Sequence, residues 1–125
     1  MIGYITLGSN NVEKSAAFYD ELFKVLGATR IYDYEAYVAW ATDSESIIFS
    51  VTTPFNKEVA TSGNGTMVAL RAKSKAEVDL LHTKAIALGA INEGDPGMRS
   101  GGYYCAYFRD MDGNKLNFHV GPDVR

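Results

Sequence analysis

The strongest constraint on this chain is a pattern that it carries twice. The opening stretch, YITLGSNNVEKSAAFYDELFKVLGA, is a short β-branched run, a polar break and a helix with apolar residues at Ala16, Tyr19, Leu22, Phe23 and Leu26. Ser9, Asn10 and Asn11 offer cap oxygens at its start, and Gly27 supplies its stop. The same order returns in TMVALRAKSKAEVDLLHTKAIALGA, where Ser74 caps a helix that turns Val78, Leu81, Ala85 and Leu88 inward before Gly89 ends it. Aligning Leu26-Gly27-Ala28 with Leu88-Gly89-Ala90 gives an offset of 62 residues, and aligning Asn11 with Ser74 gives 63, a difference that one helical residue absorbs.

Strand candidates follow each helix: TRIYDY, AYVAWAT and SIIFSVT in the first half, AINEGD, GYYCAYFRD and KLNFHV in the second. The expected fold is therefore α+β, built from two βαβββ modules at about residues 1–53 and 66–121 within one domain, 1–125. The link between them, residues 54–65, is rich in turn formers and lacks apolar periodicity. Asp112-Gly113-Asn114 marks the last hairpin turn, and EGDPGMRSGG, residues 93–102, reads as a second loop over the mouth of whatever the sheet encloses.

With 125 residues and 46% hydrophobic content, the chain is large enough to bury roughly two thirds of its unfolded surface without a disulfide. Its single cysteine, Cys105, cannot form an internal bridge, and no signal-peptide pattern opens the chain, so a reducing cytoplasm is the expected location. No apolar run approaches the eighteen or so residues of a membrane span. A net charge of −3, from 12 basic and 15 acidic residues with no basic cluster, argues against nucleic acid or anionic lipid as a partner.

The paired modules, the ending YFRDMDGNKLNF and the restart GNGTMVALRAKSKAEVD resemble the vicinal oxygen chelate superfamily, also called the glyoxalase/bleomycin resistance/dioxygenase family. The most specific part is RDMDGNKLN, similar to the family's aromatic-x-D-P-D-G-N-x-[IL]-E ending, and VEKSAAFYDELFKVLG matches its first helix. The resemblance implies an incurved mixed sheet from each half with helices outside, and a homodimer. It spans metal-dependent isomerases, dioxygenases and transferases as well as metal-free drug-binding proteins, so the fold does not choose the chemistry.

The resemblance also implies where a divalent metal would be bound: His or Glu on the first, fourth, fifth and eighth strands. Here those positions fall on Tyr4, within IIFSV, on Met67 and on Asn117. A neutral phenol, a thioether and an amide are poor donors for Zn²⁺, Ni²⁺, Mn²⁺ or Fe²⁺, so no metal or other cofactor is expected. Of the two histidines, His82 lies on the second helix, at the edge of its interface, and His119 on the inner face of the last strand, so they are expected on opposite sides of the sheet.

With Asn117 facing the cleft, strand parity puts Lys115 and His119 beside it and leaves Leu116, Phe118 and Val120 against the helices. Tyr4 and Thr6 join that face from the first strand, and Met67 and Ala69 from the fifth. The expected ligand-binding set is Tyr4, Thr6, Met67, Ala69, Arg99, Asn117 and His119, holding a small, partly apolar molecule. The alternative is that Tyr4 and Met67 fill the space of an absent metal, leaving a packed cleft and a non-catalytic interaction domain; Asn117 and Tyr4, polar groups that need partners if enclosed, weigh toward a ligand. A third reading is a lactoylglutathione-lyase-like lyase or isomerase, with Lys115, Tyr4 or Arg99 stabilising an oxyanion and His119 as base. Lys115 also reads as a solvated residue after a turn, and Cys105 as a buried strand residue instead of a nucleophile. The register that would decide which way Trp40, Tyr37, Phe49, Cys105 and Tyr107 face is not anchored by the sequence.

Overall fold

The computed structural model describes residues 1–44 and 47–122, and its contacts divide the chain into two units, Met1–Ser62 and Gly63–Arg125. The first contains β1 (Tyr4–Gly8), α1 (Val12–Leu26), β2 (Thr29–Tyr34), β3 (Tyr37–Ala41) and β4 (Ile48–Thr52). The second repeats the order with β5 (Val68–Arg71), α2 (Lys75–Ala87), β6 (Ile91–Met98), a short 3₁₀ turn at Ser100–Gly102, β7 (Tyr104–Arg109) and β8 (Lys115–Val120). Ser46, which opens the candidate SIIFSVT, lies outside the described residues. Among the described residues no helix is long and apolar enough to cross a membrane.

Both sheets have the same topology. Strands lie in the order β1-β4-β3-β2 and β5-β8-β7-β6, with the first and last strand of each unit parallel and the remaining pairs antiparallel. The parallel pair needs a crossover, which the amphipathic helix of each unit supplies. Asn11 and Ser74 are the observed caps, accepting from the backbone N–H of Lys14 and Glu77. Gly27 closes α1 in the left-handed region that glycine favours.

In the first unit α1 lays Tyr19, Leu22 and Phe23 on the sheet against Val38, Trp40, Phe49 and Val51, all buried. The rings pack edge-on or tilted, with Phe23 and Phe49 centroids 5.0 Å apart at 88° and Tyr19 and Phe49 4.8 Å apart. Trp40 and Phe49 are therefore core residues facing the helix. Asp20 holds three elements at the edge of this cluster: Arg30 of β2 donates to it from Nε and Nη2, and the indole N–H of Trp40 donates to its Oδ1 at 2.8 Å. Burial raises the Asp20 carboxyl, but the hydrogen bonds from Arg30 and Trp40 and the nearby positive charges outweigh it and hold the group below its ordinary range.

The second core is aliphatic on the helix and aromatic on the sheet. Val78, Leu81 and Ala85 of α2 cover Ala106, Phe108, Leu116 and Phe118, and the Phe108 and Phe118 rings stack 5.1 Å apart. Leu26, Leu88 and Val120, at the ends of their elements, are only half-buried.

Residues 93–98 are not loop, as the glycines and proline suggest, but most of β6. This strand lies at the sheet edge, where a missing proline N–H is tolerated, and its register with β7 shifts twice, between Asn92 and Gly94 and between Gly94 and Gly97. Only residues 99–103 form the connection, tied by the Arg99 N–H donating to the Tyr103 carbonyl at 2.7 Å.

The hairpin joining β7 to β8 is organised by Asp110, which is 2% exposed. Its Oδ1 accepts from the backbone N–H of Asp112 and Asn114, its Oδ2 from the Asn114 amide, and its carbonyl from the Gly113 N–H. Replacing Asp110 with Ala keeps the carbonyl but strands the backbone N–H groups of Asp112 and Asn114 and the Asn114 amide, and is expected to cost about 1–3 kcal/mol, read by urea denaturation. Asp20→Ala should destabilise by about 1–2 kcal/mol through the orphaned Trp40 N–H, and Asp20→Asn, which keeps an acceptor, by less. Because Asp20 is held below its unfolded range, its contribution is full above that range and fades as pH falls through the folded value; urea midpoints measured across the acid range should show this loss, and the Asn variant should lack it.

Candidate functional site

The face of the second sheet opposite α2 carries the alternate side chains of three strands. Because Tyr107 pairs with Asn117 and Cys105 with His119 across β7 and β8, while Ala69 and Arg71 of β5 pair with Asn117 and His119, these residues share one side. A cavity of about 270 Å³ lies over them, floored by Ala69, Cys105, Tyr107, Asn117 and His119. Arg99, Ser100 and Tyr103 from the turn after β6 complete its wall.

Asn117 sits at the centre and is buried. Its Oδ1 is 3.3 Å from His119 Nδ1, and across the strand pair it lies opposite Tyr107. An oxygen acceptor at that distance places the imidazole proton on Nδ1 and leaves Nε2 with its lone pair. Burial, and secondly the positive charge of Arg71, hold His119 below the ordinary imidazole range, so it is neutral at pH 7. Burial raises the Tyr107 phenol, the Cys105 thiol beside it acts in the same direction, and Asn117 and Arg99 act against both, with a net rise. Tyr107 therefore stays protonated as a donor. Its ring also lies between two cations, with the Arg99 guanidinium 5.3 Å and the Lys115 ammonium 5.4 Å from its centroid.

Of the residues picked out by sequence, Ala69, Arg99, Asn117 and His119 come together at this cavity. Lys115 stands at the edge, over Tyr107. Met67 precedes β5 and is 41% exposed. Tyr4 and Thr6 belong to the first unit, where Tyr4 is 66% exposed and the Thr6 hydroxyl is hydrogen-bonded to Ser50 at 2.8 Å. Cys105 and Tyr107, whose facing the sequence left open, line the cavity, and Ser100 and Tyr103 are additions. The RDMDGNK hairpin held the signal for the first two: a register that pairs Arg109 with Lys115 brings Tyr107 opposite Asn117 and Cys105 opposite His119.

His82 is on the other side of the sheet and is buried, not at an interface edge. Its Nε2 is 3.0 Å from Asn92 Oδ1 and 3.2 Å from the Tyr107 carbonyl, so it donates to two acceptors and ties α2 to β6 and β7. As donors for a divalent metal, Tyr4, Met67 and Asn117 fit poorly, and β4, Ile48–Thr52, offers neither an acid nor an imidazole. Among the described residues no group of three or more His, Cys, Asp and Glu is placed to hold a metal ion.

The family model described as Glyoxalase/Bleomycin resistance protein/Dioxygenase superfamily matches residues 1–118. Among curated proteins no sequence match is found. Of the solved structures, a glyoxalase/bleomycin resistance protein from Albidiferax ferrireducens is 34% identical, with a TM-score of 0.89 over 98% of this chain and 99% of that one. A glyoxalase-related enzyme from Fulvimarina pelagi is 21% identical, with a TM-score of 0.81 over 98% of this chain and 88% of its own. The fosfomycin resistance protein FosX from Listeria monocytogenes, complexed with Mn(II) and sulfate ion, is 20% identical, with a TM-score of 0.76 over 98% and 91%. The last two show a shared fold alone. On the match of the family model across nearly the whole sequence, the chain belongs to the glyoxalase/bleomycin resistance protein/dioxygenase superfamily.

Proposed function

We propose that this chain is a small-molecule binding protein whose ligand occupies the cavity of the second unit and is held without a metal. The observation that carries this reading is Asn117. It stands where relatives of the metal-dependent kind are expected to present a carboxylate, and its amide oxygen is engaged with His119 Nδ1 at 3.3 Å. A neutral amide so engaged organises a polar pocket and offers little to a cation. The cavity, about 270 Å³, is just under the roughly 300–1,000 Å³ usual for ligand sites, which suits a small molecule. FosX is complexed with Mn(II) on the same fold, so the fold does not choose, and the reading is supported by the poor donor set present here.

A lyase or isomerase reaction is the second reading, favoured by the neutral, half-buried His119 with Nε2 available as a base and by Arg99 across the cavity as a charge to stabilise an oxyanion. We further propose a cytoplasmic homodimer. The single cysteine suits a reducing compartment, and the exposed Tyr4, Phe55 and Val59 of the first unit suit burial against a second copy.

Purified protein should contain no stoichiometric metal by elemental analysis, and Zn²⁺, Ni²⁺ or Mn²⁺ should leave its melting temperature unchanged; a bound ion with a clear upward shift rejects metal independence. A melting-shift screen of thiol conjugates, aromatic antibiotics and short oxo-acids should yield a binder whose affinity falls about tenfold or more in Asn117→Leu. Light scattering should give twice the 13.7 kDa chain mass, and a monomer at micromolar concentration would count against the dimer.

A further inference from the structure

We propose that the cavity is an anion site and that its ligand is a small planar carboxylic acid whose carboxylate is held by Arg99. This deepens the reading of the cavity as a ligand site and rests on it.

Arg99 is fixed before any ligand arrives. Its Nη2 donates to the Asp95 carbonyl at 2.8 Å and its Nη1 to the Met98 carbonyl, while its backbone N–H closes the turn on Tyr103. The guanidinium is thereby laid along β6 and over the Tyr107 ring. Two missing side chains make this possible. A Cβ at Gly97 would stand 3.0 Å from Arg99 Nη1, and one at Gly94 would stand 2.9 Å from Tyr107 Cδ1 and 3.4 Å from Arg99 Nη2. The glycines that made this segment look like a loop are the clearance for a cation.

The charge of that cation is not answered by the protein. Arg30 is paired with Asp20 and Asp33, and Arg109 with Glu93. Among the described residues Arg99 makes no ion pair, although acids outnumber bases in the chain, 15 to 12. No aspartate or glutamate lines the cavity. A guanidinium has five N–H donors, and two here go to carbonyl oxygens, so three remain for an acceptor. Arg99 is the one cation among the residues lining the cavity, His119 being neutral, while the Lys115 ammonium lies over the Tyr107 ring and Arg71 beside His119 outside that lining; one guanidinium at the wall pairs with one carboxylate. The Tyr103 ring and Ala69 offer apolar surface to the rest of the molecule.

The test is isothermal titration calorimetry of the full chain with benzoate, benzamide, benzylammonium and inorganic phosphate. Benzoate should bind about tenfold or more tighter than either ring analogue and tighter than phosphate. Arg99→Gln should abolish the preference for benzoate over benzamide, and Gly97→Ala, which crowds Nη1, should weaken benzoate while keeping the fold by circular dichroism. If Arg99→Gln does not fold, the ranking of the four probes on the unaltered chain decides alone. Benzamide binding as tightly as benzoate, or phosphate binding more tightly, overturns the carboxylate assignment while small-molecule binding survives. Failure of all four probes also overturns it, and the wider ligand reading is then judged separately by the melting-shift screen with Asn117→Leu.

Discussion

The arrangement of the second unit depends on a buried carboxylate at a turn. Asp110 collects two backbone N–H groups, a side-chain amide and, through its carbonyl, a further backbone donor within four residues. That fixes where β8 begins relative to β7. Side chains alternate along a strand with period two, so a slip of one residue would send Asn117 and His119 into the core and Leu116 and Phe118 into the cavity. The first six residues of the stretch that most strongly marks the superfamily, Arg109 to Asn114, are thus a scaffold element, and the strand that carries Asn117 begins directly after them, at Lys115.

The same logic separates the constant from the variable. Helix caps, sheet order and the two cores are determined by local chemistry that both units share, down to an N-cap oxygen accepting at the third helical residue in each. The cavity wall is different in kind. It depends on one strand at the edge of the sheet, β6, whose shifted register and absent side chains let residues 99–103 fold back as they do.

Much of this was legible in the residues. The bounds of β2 and β8 coincide with TRIYDY and KLNFHV: KLNFHV lies between Gly113-Asn114 and Gly121-Pro122, whereas TRIYDY is marked by its β-formers after the Gly27 helix stop and ends at a Glu35-Ala36 turn. The repeat revealed the architecture, and parity placed Ala69, Asn117 and His119 on one face. Glycine and proline misled at 93–98, since their composition does not distinguish a loop from a bulged edge strand in which missing side chains make room for a neighbour. Tyr4 and Thr6 were legible as a face of a sheet, but their unit is distinct from that of the cavity. The RDMDGNK hairpin carries the register that sets Tyr107 opposite Asn117, but its pairing is defined by the buried hydrogen bonds of Asp110, which composition does not show.

In the first sheet, the face opposite α1 meets its polar needs internally: the hydroxyls of Thr6 and Ser50 bond to each other, and Ser50 donates on to the Ile5 carbonyl. The second sheet turns amide, imidazole and phenol toward open space instead. The two units thus answer the same strand alternation differently, one by closing its hydroxyls on each other and the other by leaving an amide, an imidazole and a phenol to be met from outside.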